Sequence, residues 1–578
     1  MRKEGKTLTE YVCLQNIENS IMSDITVKFD NGSSNIVKKY TQLSDILPAY
    51  SIINELPIIS GLVNNEPKSL DYEIVGNCNI SWLSMSSHHG WRIYGNTVNF
   101  AVSRAVFELF PDYKFRIEHS ASSGSLYARC FDKNGNSIVL SNDDVNSIYK
   151  RVNVFIKNSE PIYSECVAYT TGIEKLRELG LEDKLNLLEF RNMAYFKTYN
   201  SGKYLDLAHY PIAINMGVIH MFKLYKQAAG FLISIPLRNN HNILPKIKQQ
   251  PKLFKVFEER AKWGKTIHIS NVGDLNKIIQ DKKFTDFALT CEAFHEQQLS
   301  NIAYKIAKKS QSIRFVTIAG PSSSGKTTFA KRLKTHLHAL GITAFTMSTD
   351  NYFVGEKRNP IGFDGKPDYE HLEAVDLPLF NEHISEICNG QEVELPIFNF
   401  NSKAREYRGD KLRLNNDQIV IIEGIHGLNP KLTESLDSKS IYKIYISPLT
   451  QINLDNNNRI STTDNRLIRR MVRDNNFRNH PPIKTFEIWA SVKRGEKKWI
   501  YPFQEEANIM FNSSLDYELS VLKSFAVPLL RTIKPISEVY GEALRLSNFL
   551  DNFFVASDDS VPLNSILRET IGNSIIQY

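Results

Sequence analysis

Apolar positions change their spacing along the chain. Near the start, the alternating segment DITVKF and the following turn DNG predict a β-hairpin, and residues 23–85 as a whole read as short strands. Residues 97–110 and 140–156 carry apolar residues at helical spacing, and strand-like segments return near 204–234. Residues 246–310 are charged with a mostly helical pattern, which predicts a helical connector.

Beyond residue 313, apolar strand-like runs alternate with amphipathic helical patterns. RFVTIAG, ITAFTMST, IVIIEG and IYKIYIS are the predicted strands, and KTTFAKRLKTHLHAL is a predicted helix closed by Gly341. Such alternation predicts an α/β fold, a parallel sheet with helices on both faces. Ligands of such folds bind beyond the carboxyl ends of the strands.

A glycine-rich loop follows the first of these strands. It reads GPSSSGKTT and consists of Gly320, Pro321, Ser322, Ser323, Ser324, Gly325, Lys326, Thr327 and Thr328. The spacing GxxxxGK[ST] lets backbone N–H groups wrap a phosphate, lets Lys326 reach the β- and γ-phosphates, and lets the Thr327 hydroxyl bind Mg²⁺. The loop predicts a nucleoside triphosphate site, with ATP and Mg²⁺ as cofactors.

Two acidic residues stand where later strands end. Asp350 closes ITAFTMSTD and Glu423 closes IVIIEG, so both are expected at the edge of the sheet that carries the phosphate loop. A carboxylate there can hold Mg²⁺ or accept a proton from an attacking hydroxyl. The alternative for each is a helix N-cap or an ordinary loop acid.

An arginine-rich helical stretch, DNRLIRRMVRDNNFR, comes later. Arg466, Arg469, Arg470 and Arg473 follow the spacing i, i+3, i+4, i+7 and share one helix face. A solvated surface is the ordinary interpretation of a charged face. Four like charges repel one another, however, and an anion relieves that repulsion, so we predict a lid that contacts the transferred phosphate.

Composition narrows the function classes. The chain has 578 residues, 42% of them hydrophobic, with a net charge of +7 and six scattered cysteines, which is typical of a reduced, soluble cytoplasmic protein. No signal peptide and no membrane span are predicted. The absence of NKxD weighs against a GTPase, and Glu-Gly in place of Asp-Glu after the strand 419–423 weighs against a motor ATPase.

The segment 313–545 resembles the uridine kinase/phosphoribulokinase family of P-loop kinases. The matching pieces, in the family's order, are GPSSSGKTT, STDNYF, DYEHLEAVDLPLF, PIFNFNSKAR, IIEGIHGL and DNRLIRRMVRD. We therefore interpret residues 311–578 as a uridine kinase-like domain.

The resemblance implies a role for each matched residue. Asp350 would be the base that takes the proton of the acceptor's 5′-hydroxyl and would lie near the metal, which Glu423 would assist. Tyr352 would line the nucleoside pocket, and Glu370, where uridine kinases usually have Asp, would bind the ribose hydroxyls. The substrate-side arginine would be Arg405, and the four arginines above would form the lid.

One matching piece departs from the family. Where uridine kinases read PxYDFxxHxR-like text, this chain has Phe398 for Tyr, Asn399 for Asp and Lys403 for the base-contacting His. Those positions read the pyrimidine in the family. The kinase chemistry is therefore predicted, and the preferred base is left open.

The N-terminal half resembles another family. Residues 20–85 look like the small β-grasp (TGS) module of threonyl-tRNA synthetases, and 86–240 look like the editing domain that follows it, an α+β arrangement. The pieces are ELFPD, RIEHSASSGSLYA, DDVNSIYKRV, YLDLAHYPI and FKLYKQAAGF. The four catalytic positions are replaced by Asn96, Phe100, Ala208 and Ile212, so the resemblance implies the fold without the editing reaction. A structural or dimerising role and a regulatory or RNA-binding role stay open.

We therefore expect an ATP-dependent nucleoside kinase that phosphorylates a 5′-hydroxyl. A phosphoribulokinase-type sugar-phosphate kinase stays open because Lys403, Arg405 and Arg408 could bind an acceptor phosphate. A nucleotide- or tRNA-responsive regulator that uses the P-loop domain as a switch is the third interpretation. A homo-oligomer is expected, and the mild positive charge permits tRNA binding without arguing for it.

Overall fold

The chain forms two compact units in a computed structural model that describes residues 23–48, 52–121, 124–363, 365–399, 402–415 and 417–577. Unit 1 contains the described part of residues 1–248 together with 454–459 and 533–549, and unit 2 contains 249–453, 460–532 and 550–578. Two short pieces of the predicted C-terminal domain thus belong to unit 1, and nearly all of the predicted connector belongs to unit 2.

Unit 1 is an α+β unit. Its first sheet has the strand order β2-β1-β7-β5-β6, a second has β10-β9-β15-β14 with β8 beside β9, and a third has β11-β12-β13. The strands are β1 Asp24–Phe29, β2 Ser34–Lys38, β3 Ile52–Ile53, β4 Leu56–Pro57, β5 Ser60–Val63, β6 Glu66–Lys68, β7 Cys78–Leu83, β8 Lys114–Ser120, β9 Leu126–Phe131, β10 Ser137–Ile138, β11 Tyr163–Ala168, β12 Tyr195–Ser201, β13 Tyr204–Leu207, β14 Lys223–Gln227 and β15 Gly230–Ser234.

The described part of unit 1 also contains five α-helices. They are α1 His88–Leu109, α2 Asn142–Lys157, α3 Tyr169–Glu178, α4 Glu182–Leu188 and, except for its last residue, the helix Tyr540–Leu550. The predicted hairpin is confirmed, since β1 and β2 pair antiparallel across the DNG turn. The first predicted helix begins nine residues earlier than its apolar period, because the Ser87 side chain caps it by accepting from the Gly90 N–H group.

The sheet of unit 2 is parallel, as predicted. Its strand order is β17-β20-β16-β21-β22, and the two strands β16 and β20 are buried at every position, as expected for the centre of a parallel sheet. The strands are β16 Phe315–Ala319, β17 Ala344–Ser348, β18 Val393–Asn399, β19 Ala404–Leu412, β20 Ile419–Glu423, β21 Ile441–Ser447 and β22 Ile509–Asn512.

The helices of unit 2 begin with three in the predicted connector, α5 Pro251–Thr266, α6 Val272–Gln280 and α7 Phe284–Ala307. The others are α8 Lys326–Ala339, α9 Leu377–Cys388, α10 Thr462–Phe477, α11 Pro482–Trp499, α12 Glu518–Leu530 and α14 Arg568–Ile571, and the label α13 is given to the helix at 540–550 above. The sequence pattern did not reveal the antiparallel hairpin β18–β19, whose pairing shifts register between Glu394 and Pro396, because proline interrupts the strand.

Two expectations about the chain as a whole can be compared with the fold. Cys78, Cys130, Cys166, Cys291 and Cys388 are free thiols, and Cys13 lies outside the described residues. Within the described ranges, no helix has both the length and the apolar character needed to cross a membrane.

Candidate active site

The glycine-rich loop joins strand β16 to helix α8 in unit 2. A Cβ on Gly320 would lie 2.0 Å from the Ile446 carbonyl oxygen, so no larger residue fits there. Gly325 is the N-cap of α8 with φ +81°, a left-handed conformation that glycine adopts without strain. Beyond it, the first N–H groups of α8 form the anion site of a helix N-terminus.

Glu423 and Thr327 meet beside this loop. Thr327 Oγ1 donates to Glu423 Oε1 at 3.2 Å. Glu423 ends β20 and is buried. Burial, with the nearby Asp350 carboxylate, raises the pKa of Glu423 to about 7, while the Lys326 ammonium opposes the rise. Two carboxylates that lie close together repel each other, and a proton or a cation bound between them relieves that repulsion.

Asp350 lies in the short 3₁₀ turn Thr349–Tyr352 directly after β17. Its backbone N–H donates to the Ser348 side chain at 3.4 Å. Ser348 pairs in register with Glu423 across the two parallel strands. The structure therefore brings together the two acids that the sequence placed at the ends of separate strands.

The donor set fits Mg²⁺. Thr327, Glu423 and Asp350 offer one hydroxyl and two carboxylates, and Mg²⁺ in kinases uses one or two protein carboxylates with substrate phosphate and water. No cluster of three or more His, Cys, Asp or Glu side chains suited to a metal occurs in the part of the chain that the structure describes.

The four predicted lid arginines do not share one environment. Arg466 forms a buried ion pair with Glu496, and Arg469 forms one with Glu518. Arg466 Nε also donates to the Ser322 carbonyl at 2.9 Å. Buried glutamates thus neutralise the charges of both arginines, and Arg466 in addition holds the phosphate loop in place.

The other two arginines surround Asp474. Arg470 Nε lies 3.1 Å and Arg473 Nη2 2.8 Å from its carboxylate. Burial would raise the pKa of Asp474. The charges of Arg473, Arg470 and Arg478 nevertheless hold this pKa below its usual value. Arg470 also donates to Ser322 Oγ at 2.8 Å. Three arginines around one aspartate leave an excess of positive charge next to the loop.

Glu370 lies on the other side of Arg470. Its Oε1 is 4.0 Å from Arg470 Nη1, and its Oε2 is buried without a hydrogen-bond partner among the described residues. Burial raises the pKa of Glu370 to about 7 against the effect of Arg470. A Cβ on Gly495 would lie 2.3 Å from the Glu370 Cβ, so only a glycine at position 495 leaves room for the Glu370 side chain. A hydroxyl donor would satisfy the unpaired oxygen.

The remaining predicted substrate residues lie in different surroundings. Tyr352 and Phe398 are both buried in one hydrophobic cluster of unit 2, and the Tyr352 hydroxyl lies 3.0 Å from His383 Nδ1. Both are thus core residues. Lys403 is half-exposed in an ion pair with Glu356.

The guanidinium of Arg405 forms an ion pair through one of its nitrogens, and another nitrogen has no hydrogen-bond partner in the described structure. Its Nη2 lies 2.7 Å from Asp376 Oδ2, whereas its buried Nη1 has no hydrogen-bond partner among the residues the structure describes. Of the predicted acceptor side, Glu370 and Arg405 therefore keep a polar atom for a ligand.

Sequence reasoning missed Glu496 and Arg478. Glu496 accepts from the Ser322 N–H at 3.3 Å in addition to its ion pair with Arg466, so it fixes the loop backbone. The nearby Arg473 charge lowers the pKa of Arg478 to about 10, while Asp474 and Asp350 oppose the shift. Arg478 stood within the arginine-rich stretch, one turn beyond Asp474. Glu496 carried no local signal.

In unit 1, the positions aligned with editing residues converge. Asn96, Phe100 and Ile212 line one pocket, and Ala208 packs on the neighbouring core. None of the four offers a metal ligand or a proton carrier.

Comparison with known proteins places the similarity in unit 2. The model of the Phosphoribulokinase / Uridine kinase family matches residues 315–520. The uridine kinase of Anoxybacillus flavithermus is 26% identical over 196 residues, 34% of this chain and 83% of that protein. The uridine kinase of Clostridium perfringens is 31% identical over 199 residues, 34% of this chain and 85% of that protein.

Among solved structures, a Bacillus stearothermophilus protein described as a possible uridine kinase overlays with a TM-score of 0.26 at 16% identity. The overlay covers 37% of this chain and all of that one.

Proposed function

This chain belongs to the Phosphoribulokinase / Uridine kinase family, and from that premise we propose that unit 2 transfers the γ-phosphate of ATP to the 5′-hydroxyl of a nucleoside. The observation that carries the proposal is the grouping of Asp350, Glu423 and Thr327 beside the phosphate loop, with the partly unpaired Glu370 nearby. A nucleotide switch needs no buried acid with an unpaired oxygen, whereas an acceptor with several hydroxyls does.

The phosphate loop and the first turn of α8 would bind ATP. The first-turn N–H groups and Lys326 would neutralise the phosphates. Thr327 and Glu423 would hold Mg²⁺, with Asp350 close by, and the ion would supply charge neutralisation on the β- and γ-phosphates. Arg466 and Glu496 keep the Ser322 peptide in place through its carbonyl and its N–H group.

Transfer follows from the position of Asp350. Its carboxylate accepts the proton of the acceptor hydroxyl while the hydroxyl oxygen forms a bond to the γ-phosphorus and the bond from that phosphorus to the bridging oxygen of ADP breaks. Arg470 and Arg473 stabilise the charge on the transferring group, which is spread over its equatorial oxygens.

Acceptor recognition rests on Glu370. Its unpaired Oε2 accepts a hydrogen bond from a ribose hydroxyl, and Arg470 links this acid to the phosphate loop. A buried carboxylate that is unpaired without substrate discriminates strongly against acceptors that lack the matching hydroxyl.

A sugar phosphate is the second candidate acceptor. The observation that favours it is the buried, unpartnered Nη1 of Arg405, which would bind an anion. A nucleoside offers no charge for this group.

A panel assay tests the proposal. Purified full-length protein is incubated with ATP, Mg²⁺ and, in turn, ribonucleosides, deoxyribonucleosides and ribulose 5-phosphate, and phosphorylated product is measured by mass. We expect a ribonucleoside 5′-monophosphate as product. Product from ribulose 5-phosphate alone would support the second candidate. ATP hydrolysis without transfer to any acceptor would refute both.

A further inference from the structure

The C-terminal segment of unit 2, residues 558–577, packs on the phosphate loop. A Cβ on Gly325 would lie 2.4 Å from Ile566 Cδ1, so the Ile566 side chain rests on the bare backbone of the loop. Thr328 Oγ1 donates to Glu569 Oε2 at 2.6 Å. The Lys331 ammonium, one turn further along α8, contacts the Gln577 carbonyl. Three successive points of the nucleotide-binding element are thus in contact with this segment.

Glu569 stands where a phosphate would be attracted. Thr328 is the third residue of α8, and the N–H groups of the first helical turn are the ones that bind anions. The Glu569 carboxylate, which accepts from the Thr328 hydroxyl, is therefore an internal anion at the first turn of α8. Thr328 is fully buried, whereas Lys326 and Thr327 keep part of their surface, so the segment covers one side of the loop.

The segment is a built element with its own anchors. Ser565 Oγ donates to the buried Glu292 at 2.5 Å. Arg568 Nη2 donates to the carbonyls of Asp558 and Val561, both at 2.7 Å, which closes the segment on itself. It also lies beyond residues 315–520, which match the family model.

We propose that residues 558–577 form an autoinhibitory cover of the phosphate loop, in which Glu569 takes the place of a nucleotide phosphate. The inference rests on the proposed kinase function, because the site it closes is the ATP site. A phosphate bound at the first turn of α8 would be repelled by the Glu569 carboxylate, so ATP binds only when Glu569 leaves Thr328. The apparent dissociation constant for nucleotide is then the intrinsic one divided by the open fraction.

The test is nucleotide affinity without acceptor. ADP and a non-hydrolysable ATP analogue are titrated by calorimetry into full-length wild type, Glu569→Gln and Ile566→Ala. Glu569→Gln keeps the shape and removes the charge, and we expect nucleotide to bind about fivefold to fiftyfold more tightly than to wild type because the closed state loses its anion contact. Ile566→Ala weakens the cover without touching its charge and is expected to shift affinity in the same direction.

Asp559→Asn is the matched control. Asp559 lies in the same segment but is exposed, and its carboxylate accepts from the Ser557 hydroxyl at 2.8 Å. Its affinity for nucleotide should equal that of wild type. Hydrogen exchange of peptides that contain residues 565–572 should become faster when ADP binds to wild type, because the cover opens.

The outcomes separate the two proposals. If Glu569→Gln binds nucleotide as wild type does, or more weakly, the cover is refuted and the kinase proposal stands, with Glu569 as an ordinary part of the site in the weaker case. If neither wild type nor any variant binds nucleotide and no acceptor is phosphorylated, both proposals fail. Tighter binding by both variants, with wild-type affinity in Asp559→Asn, supports the cover.

Discussion

Both units bury charged side chains, but they satisfy those charges differently. In unit 1, Lys184 is fully buried and its ammonium lies 2.8 Å from Asp206 and 3.3 Å from Asp455. Asn457 and His209 complete the network. In unit 2, Glu370 keeps a buried oxygen without a partner in the described structure, and the pKa values of Glu370 and Glu423 are raised to about 7.

The difference separates structural charge from functional charge. Burial alone would lower the pKa of Lys184, yet Asp206, Asp455 and Asp183 raise it well above its ordinary value, so the network in unit 1 supports its own charged form. Glu370 and Glu423 of unit 2 instead lie where their surroundings disfavour the charged carboxylate, which is where a cation or substrate is expected.

The largest effect is expected at the proposed base. Asp350→Asn removes the proton acceptor while keeping the size of the side chain, so transfer to the acceptor should fall by about 10²–10⁴-fold. ATP binding, measured by calorimetry, should stay within about threefold of wild type, because the loop and Lys326 supply most of the phosphate contacts.

Asp417→Asn is the control for that change, since Asp417 is exposed. If Asp350→Asn keeps more than about a hundredth of wild-type transfer, Asp350 is not the base.

The next effect is on stability and falls in unit 1. Lys184→Met leaves Asp206 and Asp455 buried without their ammonium partner, so unit 1 should lose about 3–5 kcal/mol of unfolding free energy. Denaturant unfolding, followed by the fluorescence of Trp82 and Trp91, measures the loss.

Lys175→Met serves as its comparison. Lys175 forms an exposed ion pair with Glu165 at 3.3 Å, and loss of an exposed pair should change stability by less than about 1 kcal/mol. Equal stabilities of the two variants would show that the Lys184 network contributes no more than a surface pair.

A smaller change in stability is expected at Glu370, where substitution should raise the free energy of unfolding instead of lowering it. A carboxyl whose pKa is raised on folding binds more protons in the folded state between the unfolded value and about 7, so its contribution to stability falls as pH rises through that range. Glu370→Gln does not titrate. It should therefore be more stable than wild type above pH 7, by on the order of 1–3 kcal/mol, with the difference vanishing near pH 4.5.

The same variant should bind the acceptor less well. Its KM for the nucleoside should rise by about tenfold with little change in ATP affinity, because a neutral amide replaces the carboxylate at the unpaired position. Exposed Glu373 provides the control, Glu373→Gln. A stability difference that does not vary with pH would show that Glu370 has an ordinary pKa.

The contrast also explains what could be predicted from sequence. The glycine-rich loop, Asp350 and Glu423 lie at the sheet edge that the sequence predicts, because their positions depend on local spacing and on the shared edge of a parallel sheet. The parallel strands β16, β17, β20 and β21 were visible as apolar runs. Such features need no knowledge of distant contacts.

Long-range pairing was beyond the sequence. The burial of Arg466 and Arg469 depends on Glu496 and Glu518, which lie on other helices and 30 and 49 positions away along the chain. A charge pattern shows which residues share a helix face and not which partners that face meets. The same limit hid the assignment of residues 454–459 to unit 1, since Asp455 pairs with Lys184.

The smallest effect is expected on kcat when Arg470 is replaced, and it distinguishes this arginine from the others on helix α10. Arg470 donates to Ser322 in the loop and pairs with Asp474, so Arg470→Lys keeps a positive charge and loses the planar fork that makes both contacts. We expect kcat to fall by about tenfold with stability within about 1 kcal/mol of wild type. Steady-state kinetics and thermal unfolding measure the two quantities.

Arg408→Lys is the control for the arginine prediction, because Arg408 is an exposed arginine that pairs only with Glu406 among the contacts described, and its kcat should equal that of wild type. If Arg470→Lys lowers stability while leaving kcat unchanged, Arg470 acts as Arg466 and Arg469 do. The proposed lid would then consist of Arg473 and Arg478, and the functional charge in unit 2 would lie one turn closer to the end of helix α10.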